Sequence, residues 1–176
     1  MTARMAFPRR NLELKARDVD LDAAAARLRE FGARDAGLEI QTDTYFRVHV
    51  GRLKLREIEG KEAVLIGYVR PDEMGTRQSQ YHLVQVADAA SLKAALTDAL
   101  GVRGVVAKHR HIWLWQNVRI HLDQVEGLGK FVEFEAVITS EDEETAAPAQ
   151  LSQLSQLLSI RPEDQLAPSY ADLLNL

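Results

Sequence analysis

Charged side chains recur at every second position in five stretches of this sequence. In "NLELK" the positions between Leu12 and Leu14 and beside them are Asn11, Glu13 and Lys15; in "GRLKLRE" Arg52, Lys54 and Arg56 alternate with Leu53 and Leu55. Lys108 and Arg110 share a parity opposite to Trp113 and Trp115. Arg119, His121 and Asp123 alternate with Val118, Ile120 and Leu122, and Glu133 and Glu135 alternate with Val132, Phe134 and Ala136. Arginine grips phosphate oxygens with a two-pronged fork and lysine meets them as a point charge. Clustered carboxylates hold hard divalent cations such as Mg²⁺ or Mn²⁺ through oxygen. A metal-bridged polyphosphate is the ligand class that uses both signs. The glycine-rich mononucleotide loops are absent: there is no G-x-x-x-x-G-K-[ST], no G-x-G-x-x-G opens a helix, and the "GLG" at Gly127 to Gly129 falls between strands.

These residues must be carried by strands, because only a period of two puts alternate side chains on one face. Period-two runs are predicted for the opening stretch, for a meander from Gln41 to Val86 turning at "PDEMGT", and for "VVAKHRHIWLW", "VRIHLDQV" and "KFVEFEAVI". Two helices interrupt them. Asp20 caps the first, with Leu21, Ala24, Leu28 and Phe31 as its stripe and Gly32 as its stop. Asp88 caps the second, with Leu92, Ala95, Leu96 and Ala99 as stripe and Gly101 as stop. The acidic "SEDEET" reads as a turn into a third helix spaced by Leu151, Leu154, Leu157 and Leu158, and "SYADLL" closes the chain. The two halves share a weak repeat of capped helix, glycine stop, strand, turn and strand, in which "GRLKLRE" matches "NVRIHLDQ".

For any one of these strands the ordinary reading is a solvated polar face. Together they read differently, since three favour Arg and Lys and two favour carboxylates. About eight strands suffice to close a barrel, and an apolar face turned outward under the helices leaves the charges inside. Charges buried without partners are costly, so such an interior calls for a polyanion and cations. The expected fold is therefore α+β, an eight-stranded antiparallel barrel with helices packed outside, in a single domain over residues 1–176 with no Pro-rich or Ser-rich linker. With 22 Lys+Arg against 26 Asp+Glu the net charge is −4, which gives no reason to expect nucleic acid or an anionic membrane as partner. Cysteine is absent, excluding disulfides and thiolate chemistry. No apolar run approaches the ~20 residues of a membrane span and the N-terminus lacks a signal-peptide core, so a soluble cytoplasmic protein is expected. Monomer and homodimer are both left open.

The stretch "NLELK" resembles the E-x-E-x-K signature of the CYTH superfamily, the triphosphate tunnel metalloenzymes. The resemblance continues in order through "QTDTYF", "GRLKLRE", "GYVRPD", "KHRHIWLW", "VRIHLDQVEGLGKFVEFEAV" and "SYADLL". It is closest to the small bacterial subgroup labelled class IV adenylate cyclase. The resemblance implies an eight-stranded tunnel that binds a small-molecule triphosphate with Mg²⁺ or Mn²⁺. It implies metal ligands at Glu13, Asp123, Glu133 and Glu135, and a catalytic set of these four with Lys15. It also implies a substrate track of Lys15, Arg52, Lys54, Arg56, Lys108, Arg110 and Arg119. Asn11 departs from the pattern, standing where the signature has its first glutamate and removing one carboxylate.

The expected activity is metal-dependent hydrolysis of an inorganic or organic triphosphate. The alternatives are conversion of ATP to cyclic AMP and pyrophosphate, and a non-catalytic polyphosphate or nucleotide binder. Hydrolysis is preferred because no motif holds adenine or steers a ribose oxygen. His121 is read as a structural partner of Asp123, ahead of a proton donor. His49, His82, His109 and His111 lack metal-ligand spacing. Trp113 and Trp115 are expected to pack under a helix, and Tyr170 either closes a tunnel mouth or anchors a helix.

Overall fold

Leu12, Leu14 and Ala16 point away from Asn11, Glu13 and Lys15 along the first strand, and the fold is built from which of these faces is covered. The computed structural model of the chain describes residues 9–17, 19–69 and 75–176. In chain order the elements are β1 (Arg9–Arg17), α1 (Leu21–Glu30), β2 (Arg34–Phe46), β3 (Arg52–Ile58), β4 (Ala63–Val69) and β5 (Arg77–Val86). They continue with α2 (Ala89–Leu100), β6 (Val102–Trp115), β7 (Val118–Val125), β8 (Gly129–Ile138), α3 (Glu141–Leu157), a 3₁₀ turn at Pro162–Asp164 and α4 (Tyr170–Leu173). The turn expected at "PDEMGT" lies mostly outside the described residues.

The eight strands close into an antiparallel barrel in the order β1-β5-β4-β3-β2-β6-β7-β8, with β8 returning to β1. Exchanging β1–β4 for β5–β8, strand for strand, returns the same order read in the opposite direction, so the weak sequence repeat is a repeat of topology. The apolar faces turn outward. Leu14, Ala16, Trp113, Ile120, Val132 and Phe134 pack beneath Ala24 and Leu28 of α1 and Ala147, Leu151 and Leu154 of α3. Trp113 is fully buried there, and Trp115 meets the ring of Phe31 at 5.1 Å. Leu92 and Leu96 of α2 lie over Phe46, Leu55, Ala63 and Val86. Where helices cover the outer face of a strand, its charged face is left to line the interior, while β5 turns Gln78, Gln80, His82 and Val84 outward and exposed.

Two boundaries differ most from the sequence expectation. β2 begins at Arg34, because a register shift between Asp35 and Gly37 breaks the period-two pattern that would have revealed its first half. Gly37 takes φ 100°, and its N–H donates to the Asp35 carboxylate at 2.8 Å. The acidic "SEDEET" is the first turn of α3 and not a separate turn. Ser140 caps it by accepting the Glu143 N–H at 3.2 Å, and the Glu143 carboxylate accepts the Thr139 N–H at 2.6 Å. Four acidic residues in that turn face the positive end of the helix dipole, and the helix runs on through Pro148.

The segment after α3 is stitched across one end of the barrel. Gln165 bridges Ala16, and the Leu166 N–H donates to the Lys15 carbonyl at 2.9 Å. Ser169 and Asp172 form a capping box that starts α4, and Asp172 is clamped by Arg52 at 3.1 Å and Arg103 at 2.6 Å. No helix among the described residues is long and apolar enough to cross a membrane.

Candidate active site

Closure of the barrel brings the inward faces of all eight strands around a cavity of about 310 Å³. Lys15, Lys54, Arg56, Lys108, Arg110 and Arg119 line it together with Glu13, Glu133 and Glu135. Nine of the eleven residues singled out from the sequence thus share one cavity.

Its ion pairs are organised around buried anions. Asp43 is fully buried and receives three cations: Arg56 in a two-pronged contact at 2.7 and 2.8 Å, Lys54 at 2.9 Å and Lys108 at 3.2 Å. Burial opposes its ionisation, but the charges of Arg56, Lys108 and Lys54 hold its carboxyl well below the usual carboxylate range. Asp123 receives Arg110 in the same two-pronged manner at 2.7 and 2.6 Å. These two pairs occupy equivalent places in the repeated hairpins with the signs exchanged: Asp43 of β2 opposes Arg56 of β3, and Arg110 of β6 opposes Asp123 of β7. Glu133 accepts from Arg110 at 2.6 Å and lies 3.3 Å from Lys15, Glu135 pairs with Arg119 at 2.9 Å, and Glu13 with Arg77 at 3.0 Å. Glu133 is held well below the usual range despite burial, by Lys15 and Arg110. Lys108 is pushed well below the ordinary lysine value by burial and then by Arg110.

Asp123 and Arg52 do not line the cavity. Asp123 is fully buried, with one oxygen on the Arg110 Nε and the other shared between Arg110 and the Tyr170 hydroxyl, which donates at 2.7 Å. Both oxygens of Asp123 are thus engaged, and the two-pronged contact holds the Arg110 guanidinium in position. Arg52 reaches Asp172 at the covered end of the barrel. His121 does not bond Asp123 either. It is buried, with Nδ1 3.8 Å from Glu133 Oε2 and 4.0 Å from Glu135 Oε1. Tyr170 starts α4 and lines the cavity, where its ring lies under Lys15 Nζ at 4.0 Å and Lys108 Nζ at 5.3 Å.

Sequence reasoning passed over Asp43 and Arg77, although parity with Gln41 and Tyr45, and with Ser79 and Tyr81, would have placed both on the inward face. It had no means of finding the apolar part of the lining. Where β3 ends and β4 begins, Ile58, Val64 and Ile66 face inward beside Leu83 and Ile112. Both faces of "AVLIGYV" are apolar, so the pattern does not say which one turns in.

Among the described residues His121, Glu133 and Glu135 offer ligand atoms that all lie within 4.8 Å of one another. His121 Nδ1 and Asn11 Oδ1, both facing this cavity, have no hydrogen-bond partner there. Two carboxylates with unsatisfied neutral donors beside them fit a divalent cation, whose charge the carboxylates match and whose open coordination the donors can fill.

The sequence profile of the CYTH domain matches residues 9–170. The chain belongs to the CYTH family. A Methanocaldococcus jannaschii protein provisionally named an adenylate cyclase is 23% identical over 174 residues, covering 94% of this chain and 98% of the relative. The solved PH1012 protein from Pyrococcus horikoshii is similar at a TM-score of 0.80 and 26% identity, over 93% of this chain and 98% of that one. HpAC1 from Hippeastrum, provisionally named an adenylyl cyclase and described as having a dominant triphosphatase activity, shares the fold at a TM-score of 0.67 and 12% identity, over 95% of each chain. In this CYTH chain the signature glutamate and lysine, Glu13 and Lys15, stand next to Glu135 and Glu133 in the β1–β8 register.

Proposed function

We propose that this CYTH protein hydrolyses the terminal phosphoanhydride bond of a triphosphate with the aid of a divalent cation. The observation that carries the reading is the row of Lys15, Lys54, Lys108, Arg56 and Arg110 along the same cavity as the carboxylates Glu133 and Glu135. Pockets from about 300 Å³ upward take small ligands, and this one is near that bound. Lys54, Arg56 and Lys108 meet the phosphate oxygens, held ready by Asp43. Arg110, fixed by Asp123 and Glu133, faces the charge that grows as the bond breaks. Donors that need no rearrangement at that moment stabilise the transition state most. A divalent cation held by Glu133 and Glu135 would neutralise phosphate charge and polarise the reacting group when bound. Water supplies the attacking oxygen, the bond from the terminal phosphorus to its bridging oxygen breaks, and orthophosphate leaves the diphosphate product.

A second reading has its own observation. The apolar lining of Ile58, Val64, Ile66, Leu83 and Ile112 suits an organic group on the triphosphate, as cyclisation of ATP would require. In that reaction the ribose 3′-oxygen attacks the α-phosphorus and pyrophosphate leaves. An apolar wall packs a base without orienting the ribose, and orientation is worth ~7 kcal/mol or more. Hydrolysis is therefore preferred.

Product identification separates them. Purified protein incubated with tripolyphosphate and with ATP, each with Mg²⁺, Mn²⁺ or excess chelator, is expected to release orthophosphate from tripolyphosphate faster than cyclic AMP from ATP, and neither in chelator. Glu133→Ala, Glu135→Ala and Arg110→Ala are each expected to lower kcat/KM at least ~100-fold. Dominant cyclic AMP with tripolyphosphate barely cleaved would transfer the assignment to the cyclase.

A further inference from the structure

We propose that His121 makes the cation site of this chain a mixed nitrogen and oxygen centre, which takes Mn²⁺ or Co²⁺ in preference to Mg²⁺. The inference rests on the reading of Glu133 and Glu135 as cation ligands and adds a residue and a selectivity to it.

His121 lies on β7 directly opposite Glu133 of β8, on the inward face, with 5% of its surface exposed. Its Nδ1 is buried without a hydrogen-bond partner. A buried polar atom left alone is expensive and rare, so an unpartnered one facing two carboxylates points to a ligand. The distances agree. Two ligand atoms each ~2.1 Å from one ion lie no more than ~4.2 Å apart, and Nδ1 is 3.8 Å from Glu133 Oε2 and 4.0 Å from Glu135 Oε1. Both spacings exceed a hydrogen bond and fit within an ion's span. The carboxylates remain anionic beside Arg110, Lys15 and Arg119, and each oxygen has more than one lone pair to offer. Asn11 Oδ1, buried and equally without a partner, lines the same cavity as a neutral oxygen donor.

The donor set decides the metal. Mg²⁺ favours oxygen ligands, keeps several waters and gains little from an imidazole. Imidazole nitrogen suits the later first-row ions, and affinity rises from Mn²⁺ to Co²⁺ at such sites. An imidazole nitrogen among the ligands therefore favours Co²⁺ or Mn²⁺ over Mg²⁺.

Calorimetric titration of the metal-free protein with Mg²⁺, Mn²⁺ and Co²⁺ tests this without recourse to activity. Wild type is expected to bind Co²⁺ at least ~10-fold tighter than Mg²⁺, and His121→Ala to lose most of that margin while its Mg²⁺ affinity changes less than ~3-fold. Pulsed electron paramagnetic resonance of the wild-type Mn²⁺ complex should show coupling to an imidazole nitrogen, a readout that stands even where the variant folds poorly. Absence of nitrogen coupling, or an unchanged margin in a folded His121→Ala, overturns the role of His121 and leaves the carboxylate site standing. Failure of wild type to bind any of the three cations, with or without tripolyphosphate, overturns both this inference and the metal-dependent function beneath it.

Discussion

Lys108 Nζ lies 3.2 Å from Asp43 Oδ2 and 5.3 Å from the centre of the Tyr170 ring, with 3% of the residue exposed. Burial and the neighbouring Arg110 disfavour its ammonium form, while Asp43 favours it, and the balance depresses its pKa well below 10.5. A bound polyphosphate would shift that balance back toward the ammonium. The sign follows from the depressed value: below it Lys108 is charged and meets phosphate, and as pH rises through it the charge and part of the affinity are lost. Tripolyphosphate affinity should therefore fall on the alkaline side at a pH below that of an ordinary lysine. Lys108→Arg, which keeps its charge throughout, should remove that limb of the profile. Titration calorimetry across pH checks it, and identical alkaline limbs in both proteins would take Lys108 out of the phosphate track.

Each strand contributes an inward face, but a neighbouring element decides what that face does. Arg110 and Asp123 sit opposite one another in the β6–β7 register, and Tyr170, brought by α4 from the far end of the chain, fastens the pair through its hydroxyl. The four-residue α4 has few bonds of its own, and it depends on the Ser169–Asp172 capping box and on the clamp of Arg52 and Arg103. Tyr170→Phe keeps the ring beneath Lys15 and Lys108 and removes only the hydrogen bond to Asp123. A hydrogen bond to a buried charge contributes about 1.5–3 kcal/mol, and a loss of that size is expected in denaturant unfolding. With Arg110 less firmly held, kcat/KM should drop by roughly tenfold or more, which corresponds to about 1.4 kcal/mol of transition-state stabilisation. Unaltered stability and kinetics would make the Tyr170 hydroxyl incidental.

At the scale of the molecule, the barrel is closed around buried charge beside an apolar wall, so its stability and its proposed ligand are linked. Removing Asp43 would leave Lys54, Arg56 and Lys108 without the anion they share, at a cost of about 3–5 kcal/mol. On the proposed function, tripolyphosphate would take the place of that anion. At a concentration ~100 times its Kd a ligand adds about 2.7 kcal/mol to folding stability. Asp43→Ala is expected to melt well below wild type and to recover more on addition of tripolyphosphate than wild type gains, since its cavity is the more positive. Thermal melts with and without the anion measure this, and an equal shift in both proteins would show that Asp43 is not the occupant of the phosphate track in the empty barrel.

Much of this was legible before any fold was known. The alternation in "NLELK", "GRLKLRE" and "KFVEFEAV" is a local property, because the pleat of a strand sends neighbours to opposite faces whatever surrounds it. From it came the barrel, the inward charges and nine residues of the cavity. The caps Asp20 and Asp88 were visible for the same reason, since a helix start depends on residues within one turn. Contacts between distant strands were not visible. Asp43 meets Lys108 across 65 residues and Tyr170 meets Asp123 across 47, and only barrel closure and register bring them together. Registers decided that Asp123 is spent on Arg110, that His121 faces two glutamates, and that an apolar face of β4 turns inward. Parity names the face on which a residue sits; the tertiary structure alone names what it meets there, because pairing depends on which strands become neighbours and at what offset.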